Sequence, residues 1–285
     1  MEKPALRPLT LCHFTAVEVE PPDFVDLAAR AGFAAVSLMI QFPRTYSPGF
    51  PMTGDTRMRR ETRQRLDATG VTLFDAATGR LEPGTGPDDF RGLVETAAYL
   101  GARGIDVNGN DPDPARLTDQ FAALCALCAE HGLGVGIEFM MSTQVKTLGD
   151  ALALIARSGA GNAAVTVDAL HLARSGGSPA DVAALDPAQI AYVQLCDGPA
   201  APPAGEAYAR EASGGRLLPG DGDLPVRALI DAVGPDVMLG VEAPSRRRAE
   251  QGVPAAAYAA QAMDAVRRLL AADPGRVSGT AGTRT

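Results

Sequence analysis

The amino-acid sequence predicts an α/β fold: a single closed (β/α)8 barrel over residues 1–272, followed by a disordered tail at residues 273–285. Three observations predict this fold. The chain has 285 residues, of which 46% are hydrophobic, and barrels of this kind commonly hold about 250 residues in one domain. Short apolar runs alternate with longer amphipathic stretches along almost the whole length. Several amphipathic stretches end at a glycine, which supplies the left-handed conformation that commonly terminates a helix.

The strand candidates are short segments rich in β-branched and apolar residues. They lie at residues 9–14, 35–39, 71–74, 104–107, 134–139, 163–167, 190–195 and 237–241. The helix candidates lie near residues 22–31, 56–69, 88–100, 114–131, 147–158, 179–185, 224–233 and 254–272. Eight repeats of strand and helix favour a closed parallel barrel. The alternative is an open doubly wound sheet, but no G-x-G-x-x-G motif follows the first strand.

Two of the connections between these segments are long. Residues 41–55 follow the second strand, and residues 197–223, which are rich in Pro, Gly and Ala, follow the seventh. In a barrel, the loops that follow strands surround the mouth of the active site. We therefore expect both connections to lie over that mouth.

The charge pattern excludes several classes of function. With a formal net charge of −8 and a pI near 5.0, the chain lacks the basic character that a nucleic-acid partner requires. No apolar run approaches the roughly 18 residues of a membrane span, so we expect no membrane partner and a cytoplasmic location. Lys3 and Lys146 are the only lysines, which argues against Schiff-base chemistry.

The cysteines contribute one further motif. Cys125 and Cys128 form a C-x-x-C, a spacing found in redox and zinc sites. The surrounding sequence is typical of the middle of a helix, and the chain has no second cysteine pair. We therefore interpret both residues as small buried side chains in a protein of a reducing compartment.

Polar residues end four strands in the second half of the predicted barrel. Glu138, Asp168 and Glu242 follow apolar strand residues directly, and Gln194 lies beside the end of the seventh strand. Burying an acid there is costly unless its charge is compensated. Because barrel strands converge at their carboxyl ends, these side chains predict a hard-oxygen site for a divalent cation, best suited to Mn²⁺ or Mg²⁺. The alternative is that each acid caps a helix or pairs with an arginine.

Such a site can move a proton next to a carbonyl group. A Lewis acid polarises the carbonyl oxygen and stabilises an enediolate, and a positioned base takes the proton from the neighbouring carbon. The same groups would eliminate water from a substrate with a β-hydroxyl. Isomerase, epimerase and dehydratase activities therefore remain open at this point.

The sequence resembles the xylose isomerase-like barrel superfamily, a group of sugar phosphate isomerases and epimerases, over nearly the full chain. The motifs that carry the resemblance are Gly-Ile-Glu138-Phe, Val-Asp168-Ala-Leu-His171, Arg216-Leu-Leu-Pro-Gly-Asp-Gly-Asp223 and Gly-Val-Glu242. The resemblance implies that Glu138, Asp168, Gln194 and Glu242 bind one divalent ion, with Co²⁺ and Zn²⁺ as alternatives to Mn²⁺ and Mg²⁺. It also implies that the two glutamates form the acid–base pair for an α-hydroxy carbonyl substrate.

The resemblance further implies the substrate contacts. His171 is similar to a family histidine that contacts a substrate oxygen, and Arg216 to an arginine that holds a substrate carboxylate or hydroxyl. His13, at the end of the first strand, is a further candidate for the substrate pocket, and a histidine bonded beneath a loop is the alternative. Glutamine at position 194 is more like hydroxypyruvate isomerases and 3-dehydroshikimate dehydratases than the many sugar epimerases that have histidine there.

These features predict a metal-dependent isomerase or epimerase that acts on a small keto sugar or related polyhydroxy carbonyl compound. The first alternative is a metal-dependent dehydratase of the 3-dehydroshikimate type. A non-catalytic sugar-binding barrel and an abasic-site endonuclease are remote alternatives, because the endonuclease needs a cluster of zinc-binding histidines and this chain has three histidines in all. Dimers and tetramers are frequent in the superfamily, so the resemblance leaves a homodimer or a homotetramer open.

Overall fold

The computed structural model describes residues 7–41, 49–203 and 207–271. Within these residues, eight parallel strands close a barrel in sequence order, with β1 also paired to β8. The strands are β1 Leu9–Cys12, β2 Ala35–Met39, β3 Thr72–Leu81, β4 Gly104–Gly109, β5 Gly134–Glu138, β6 Ala163–Asp168, β7 Ile190–Leu195 and β8 Leu239–Val241. The predicted (β/α)8 barrel is confirmed, while the predicted tail at residues 273–285 lies outside the described residues.

Helices follow the strands and cover the outside of the barrel. They are α1 Pro21–Ala31, α2 Arg57–Thr69, α3 Pro87–Leu100, α4 Pro114–Glu130, α5 Leu148–Ser158, α6 Ala169–Arg174, α7 Pro179–Ala183, α8 Ala207–Gly214, α9 Val226–Ala232, α10 Arg246–Glu250 and α11 Ala255–Ala271. Helices α1 and α2 end at glycines, as the sequence predicts for several helices, and Gly32 and Gly70 have positive φ angles of 89° and 73°. In the part of the chain that the structure describes, no helix is long and apolar enough to cross a membrane.

The hydrophobic core lies between the barrel and its helices. Outward-facing strand residues such as Leu11 and Val36 are fully buried and form one apolar cluster with the inner faces of the helices. Cys125 and Cys128 belong to this cluster on α4, as free thiols. Burial raises the pKa of each thiol to about 12. The interpretation of the C-x-x-C as two buried helix residues is therefore confirmed.

Strand β3 is longer than the sequence predicts. The segment expected at residues 71–74 instead continues to Leu81 and pairs with β4 up to Gly109, with an irregularity in register between Ala76 and Gly79. Gly79 lies within this strand, and a Cβ at this position would lie 2.7 Å from a side-chain carbon of Val107. Glycine fits there because two strands approach closely, and the strand end predicted at residue 74 is wrong.

The inside of the barrel has a polar middle layer. It consists of Ser37, Asp75, Asp106, Thr166 and Tyr192, all of them buried. A Cβ on Gly136 would lie 2.5 Å from Thr166 Oγ1 and 2.7 Å from Asp106 Oδ1, so this glycine makes room for the layer. Barrels of this fold are usually filled with bulky branched side chains. Here polar groups continue below the carboxyl-end site instead.

Candidate metal centre and active site

Four polar side chains meet at the carboxyl end of the barrel because of where their strands end. Glu138 and Asp168 are the last residues of β5 and β6, Gln194 is the penultimate residue of β7, and Glu242 directly follows β8. One carboxylate oxygen from each of Glu138, Asp168 and Glu242 lies within 4.8 Å of the others. Gln194 Nε2 donates to Glu242 Oε1 at 3.2 Å. The structure thus brings all four predicted residues together.

The two glutamates of this cluster are hard to ionise without a bound cation. Burial raises the pKa of Glu242 to about 7, and the nearby guanidinium of Arg216 limits that increase. Burial, together with the charges of Glu242 and Asp168, raises the pKa of Glu138 well above its usual range. Near neutral pH the pair can therefore hold a proton between them, as an acid–base pair requires.

Arg216 is the cation that the chain itself supplies to the cluster. Its Nη1 lies 2.6 Å from Asp168 Oδ2 and 3.2 Å from Glu242 Oε2. Its Nε donates to the carbonyl oxygen of Ala212 at 2.9 Å, so the last turn of α8 fixes the direction of the guanidinium. One arginine opposite three carboxylates leaves two negative charges when all three are ionised.

The turn that carries Arg216 is organised by Asp197. The backbone N–H groups of Gly220 and Leu224 each donate to the Asp197 carboxylate at 2.9 Å. Asp197 and Leu217 also exchange two backbone hydrogen bonds of 2.9 Å. The Pro-Gly-Asp-Gly-Asp segment is thereby closed into a turn, and Arg216, three residues before this segment, reaches the barrel mouth.

His171 reaches the cluster from α6, the short helix that follows Asp168. Asp168 is the N-cap of this helix and accepts from the His171 N–H at 2.9 Å. The His171 Nδ1 lies 2.8 Å from the hydroxyl oxygen of Tyr208, and its Nε2 lies 3.7 Å from Glu138 Oε1. Burial lowers the pKa of His171 to about 4, so the imidazole is neutral at pH 7 and can exchange hydrogen bonds with a neutral oxygen.

His13 has a different environment from His171. Strand β1 ends at Cys12, before the predicted end at residue 14, and His13 begins a 3-10 turn. Its Nδ1 accepts from the Met39 N–H at 3.3 Å, so its Nε2 donates to the Val19 carbonyl oxygen at 2.8 Å. Both ring nitrogens are thus engaged by backbone. The ring still lines the cavity, where it offers a surface for van der Waals contact.

Two residues near the cluster were not assigned from the sequence. Asn108, on β4, donates from Nδ2 to Glu138 Oε2 at 2.9 Å. Tyr208, on α8, accepts from the Met141 N–H at 3.2 Å and bonds to His171. The sequence offered a weak signal for Asn108, which lies in an Asn-Gly-Asn-Asp-Pro segment that is also typical of turns. It offered none for Tyr208, because α8 is too short to show a helical pattern.

The donor set fits a divalent cation. Gln194 Oε1 is buried and has no hydrogen-bond partner among the described residues, which leaves it available as an oxygen ligand. With three carboxylates it completes four oxygen donors, the ligand type that Mg²⁺ and Mn²⁺ prefer. The two negative charges that Arg216 leaves uncompensated match the charge of such an ion.

A cavity of about 200 Å³ lies over the cluster at the carboxyl end. Its walls include Ser37, Asn108, Glu138, His171, Arg216 and Glu242. Arg80, near the end of β3, also lines this cavity, and its Nε is buried without a hydrogen-bond partner in the described part of the chain. Its nearest ion-pair partner, Glu82, is 3.9 Å away and about half exposed. The cavity therefore has room for a small molecule and a second cationic group on its wall.

The sequence of the barrel matches one known family. The sequence profile described as xylose isomerase-like TIM barrel covers residues 25–269 of this chain. The chain belongs to this family. No curated protein matches the sequence.

Solved structures of similar fold include proteins of several activities. The IOLI protein, solved with a bound zinc atom, has a TM-score of 0.73 and 15% identity over 92% of this chain and 98% of that one. The probable 3-DHS dehydratase AsbF from Bacillus anthracis has a TM-score of 0.73 and 16% identity over 91% and 98%. D-allulose 3-epimerase from Methylomonas sp., in complex with D-allulose, has a TM-score of 0.68 and 13% identity over 92% and 96%.

One similar structure is much longer than this chain. It is a fusion of a xylose isomerase-like TIM barrel with 4-hydroxyphenylpyruvate dioxygenase, with a TM-score of 0.73 and 18% identity. The match covers 95% of this chain and 46% of the fusion protein, so this chain spans about half of that protein's length. At these identities the likeness shows a shared fold.

Proposed function

We propose that this chain is a divalent-metal-dependent isomerase or epimerase that acts on a small keto sugar or a related polyhydroxy α-hydroxy carbonyl compound. The observation that carries the proposal is the meeting of the Glu138, Asp168 and Glu242 carboxylates within 4.8 Å beneath a cavity of about 200 Å³. Glu138, Asp168, Gln194 and Glu242 would hold one divalent ion, Mn²⁺ or Mg²⁺ in preference to Co²⁺ or Zn²⁺. When bound, the ion supplies a Lewis acid that polarises the substrate carbonyl and stabilises the enediolate.

Glu138 and Glu242 are the proposed acid–base pair. They belong to β5 and to the end of β8, three strands apart around the barrel, so they approach a molecule in the cavity from different directions. One carboxylate removes the proton beside the carbonyl, and the other carboxyl returns a proton to the enediolate. Return to the adjacent carbon gives an isomer, and return to the opposite face of the same carbon gives an epimer.

The other polar groups would orient the substrate. His171, neutral at pH 7, exchanges a hydrogen bond with a substrate oxygen while Tyr208 holds its ring at 2.8 Å. Arg216 lines the cavity while its Nη1 pairs with Asp168 and its Nη2 lies 3.4 Å from His171 Nε2. His13 contributes ring surface to the wall. The proposed partner is thus a small molecule, and a homodimer or homotetramer remains a proposal from the family.

The test is metal content by elemental analysis of the purified chain, together with metal titration of an E242Q variant. We expect about one divalent ion per chain and affinity weakened by about tenfold or more in E242Q. E95Q, which removes an exposed acid on α3, is the matched control and should bind metal normally. A chain that takes up no Mn²⁺ or Mg²⁺ would refute the metal-dependent mechanism.

Activity is tested by proton exchange with solvent. In D₂O, the metal-loaded chain should incorporate deuterium beside the carbonyl of an accepted keto sugar, such as D-allulose or D-fructose, as followed by NMR. E138Q and E242Q should lose this exchange, because each removes a carboxylate that moves the proton. Exchange that persists in both variants would contradict the assigned acid–base pair.

A dehydratase that acts on 3-dehydroshikimate is the second candidate. Arg80 favours it, because its guanidinium on the cavity wall matches a substrate that carries a carboxylate, which neutral keto sugars lack. The discriminating measurement is turnover of 3-dehydroshikimate, followed by the absorbance of its aromatic dehydration product, in the wild type and in R80Q. Turnover that falls in R80Q through KM identifies the dehydratase, while no turnover in the wild type removes this candidate.

A further inference from the structure

A second cavity opens at the amino end of the barrel, opposite the carboxylate cluster. Its volume is about 650 Å³, within the range of pockets that bind small molecules. We call it the amino-end cavity. It is lined by the first residues of several strands, including Gly104 and Gly134, and Arg7, Arg103 and Asp236 lie around its entrance. None of these residues takes part in the site described above.

The amino-end cavity exists because small residues occupy the lining positions at the starts of several strands. Gly104 and Gly134 begin β4 and β5, and Gly136 and Ala164 line the cavity one step further in. A Cβ on Gly104 would lie 2.7 Å from the carbonyl oxygen of Gly134, so the backbones themselves leave no room for a larger residue. The bulky side chains that normally fill this end of a barrel are absent from these positions.

Two buried carboxyl groups line the inner end of the amino-end cavity. Asp75 and Asp106 are 4% and 3% exposed. Neither oxygen of Asp75 accepts a hydrogen bond of full geometry among the described residues, although the hydroxyls of Ser37 and Tyr192 lie nearby, and neither acid forms an ion pair in the described part of the chain. A buried carboxylate without a cationic partner is costly. The Asp75 carboxyl group is therefore available to bind a ligand that enters the cavity from solvent.

Aromatic rings form part of the wall beside these acids. Phe74 and Tyr192 both line the cavity and pack edge to face, with ring centroids 5.1 Å apart. The guanidinium carbon of Arg103 already lies 6.0 Å from the Phe74 ring centroid at the entrance. Aromatic faces attract cations, most strongly where water is excluded. The aromatic wall and the two acids thus both favour a positively charged ligand.

We propose that the amino-end cavity binds a small organic cation, an ammonium or guanidinium compound, whose charge lies against Asp75 and Asp106 and whose hydrocarbon part packs against Phe74 and Tyr192. A bare metal ion would leave the apolar walls unused, and the volume exceeds what one ion needs. A neutral molecule would leave the charge of the Asp75 carboxylate uncompensated. An organic cation satisfies the acids and the walls together.

The ionisation of the two acids supports the same ligand. Burial raises the pKa of Asp75 to about 6, and the nearby hydroxyls of Ser37 and Tyr192 offset only part of that increase. Burial, with the charges of Glu138 and Asp75, raises the pKa of Asp106 well above its usual range. A bound cation favours the ionised form of a carboxyl group. Binding of the cation should therefore release protons.

The test is isothermal titration calorimetry of the metal-loaded full chain with two probes of similar shape, benzylammonium chloride and benzyl alcohol. We expect saturable 1:1 binding of benzylammonium and affinity for benzyl alcohol weaker by about tenfold or more, since the alcohol lacks the charge. Repeating the titration in buffers of different ionisation enthalpy measures the expected proton release. Equal affinity for both probes, or no saturable binding of benzylammonium, would overturn the proposal.

Variants locate the binding. D75N and D106N should each weaken benzylammonium by about tenfold or more, and circular dichroism should show that both fold. R103Q removes a like charge at the entrance and should leave affinity unchanged or raise it. E242Q alters the carboxylate cluster at the other end and should retain binding. Binding that is lost in E242Q but kept in D75N and D106N would mean that the cation lies at the carboxyl end, and the proposal would be wrong.

Discussion

Arg216 and Asp168 form an ion pair at 2.6 Å in which both side chains are almost completely buried. Asp168 uses its other oxygen to cap α6 through the His171 N–H. The same arginine lies 3.2 Å from Glu242 Oε2. A single guanidinium therefore fixes two proposed metal ligands in position, and the helix cap fixes the rotation of one of them.

Replacing this arginine should affect stability most when no metal is bound. We expect R216M to destabilise the metal-free protein by roughly 3–5 kcal/mol, because a buried carboxylate loses its partner. The loss should be smaller with Mn²⁺ present, since a divalent ion compensates the same charges. Urea unfolding with and without metal measures both values. R57A, which breaks a solvent-exposed pair on α2, is the control and should change stability little in either condition.

His13 should make the protein sensitive to acid. Burial lowers the pKa of His13 to about 4 from its ordinary 6.5, so below pH 6.5 the unfolded chain takes up a proton that the folded chain refuses. Stability should fall as the pH drops from about 6.5 to about 4, by roughly 3 kcal/mol from this group. Urea unfolding across that range should show a shallower pH dependence in H13Q. H131N, which changes an exposed histidine, should keep the wild-type slope, and identical slopes in all three proteins would contradict the assignment.

The polar middle layer should tolerate no added volume at Gly136. A Cβ there would lie 2.5 Å from Thr166 Oγ1 and 2.7 Å from Asp106 Oδ1, so G136A should cost about 1–3 kcal/mol. Thermal unfolding measures the loss. G149A is the matched control, because the nearest atom to an added Cβ is 3.7 Å away and alanine favours the helix by up to about 1 kcal/mol. Equal stability of the two variants would show that the layer can expand.

The thiols should be unreactive in the folded protein. All four cysteines are buried and free, and burial raises the pKa of Cys125 and Cys128 to about 12. The thiolate is the reactive form, so an alkylating reagent at pH 8 should leave the native chain unlabelled and label four sites in denaturant. Mass spectrometry measures the number of alkylated cysteines in each state. Rapid labelling of Cys125 or Cys128 in the native protein would restore a redox role for the C-x-x-C.

The sequence predicts the barrel well because its elements are periodic. Eight apolar strands separated by amphipathic helices favour a closed parallel barrel, which buries both faces of each strand. The strand-end acids are recognisable because their sequence neighbours are apolar. Helices α6, α8 and α10 were missed, since each is too short for a periodic signal. They lie at the carboxyl end and carry His171 and Tyr208.

Side-chain pairing was the part least accessible from sequence. Arg216 and Asp168 are 48 residues apart in the sequence, and no local sequence pattern predicts that they pair. Asp75 and Asp106 carried a signal that was not used, since each places a charge inside a buried strand. Such a residue is expensive unless something compensates it. Its presence in an apolar run indicates an interior that is not packed with hydrocarbon.

The polar middle layer joins the two ends of the barrel into one electrostatic unit. The charge of Asp75 contributes to the raised pKa of Glu242, and the charge of Glu138 contributes to that of Asp106. Charges buried in a protein interior interact strongly and are little screened by salt. The acid strength of a proposed catalytic glutamate is thus set partly by a residue of the middle layer, below the site. A substitution at Asp75 should therefore shift the pH range in which the site works without altering any group proposed to touch the substrate.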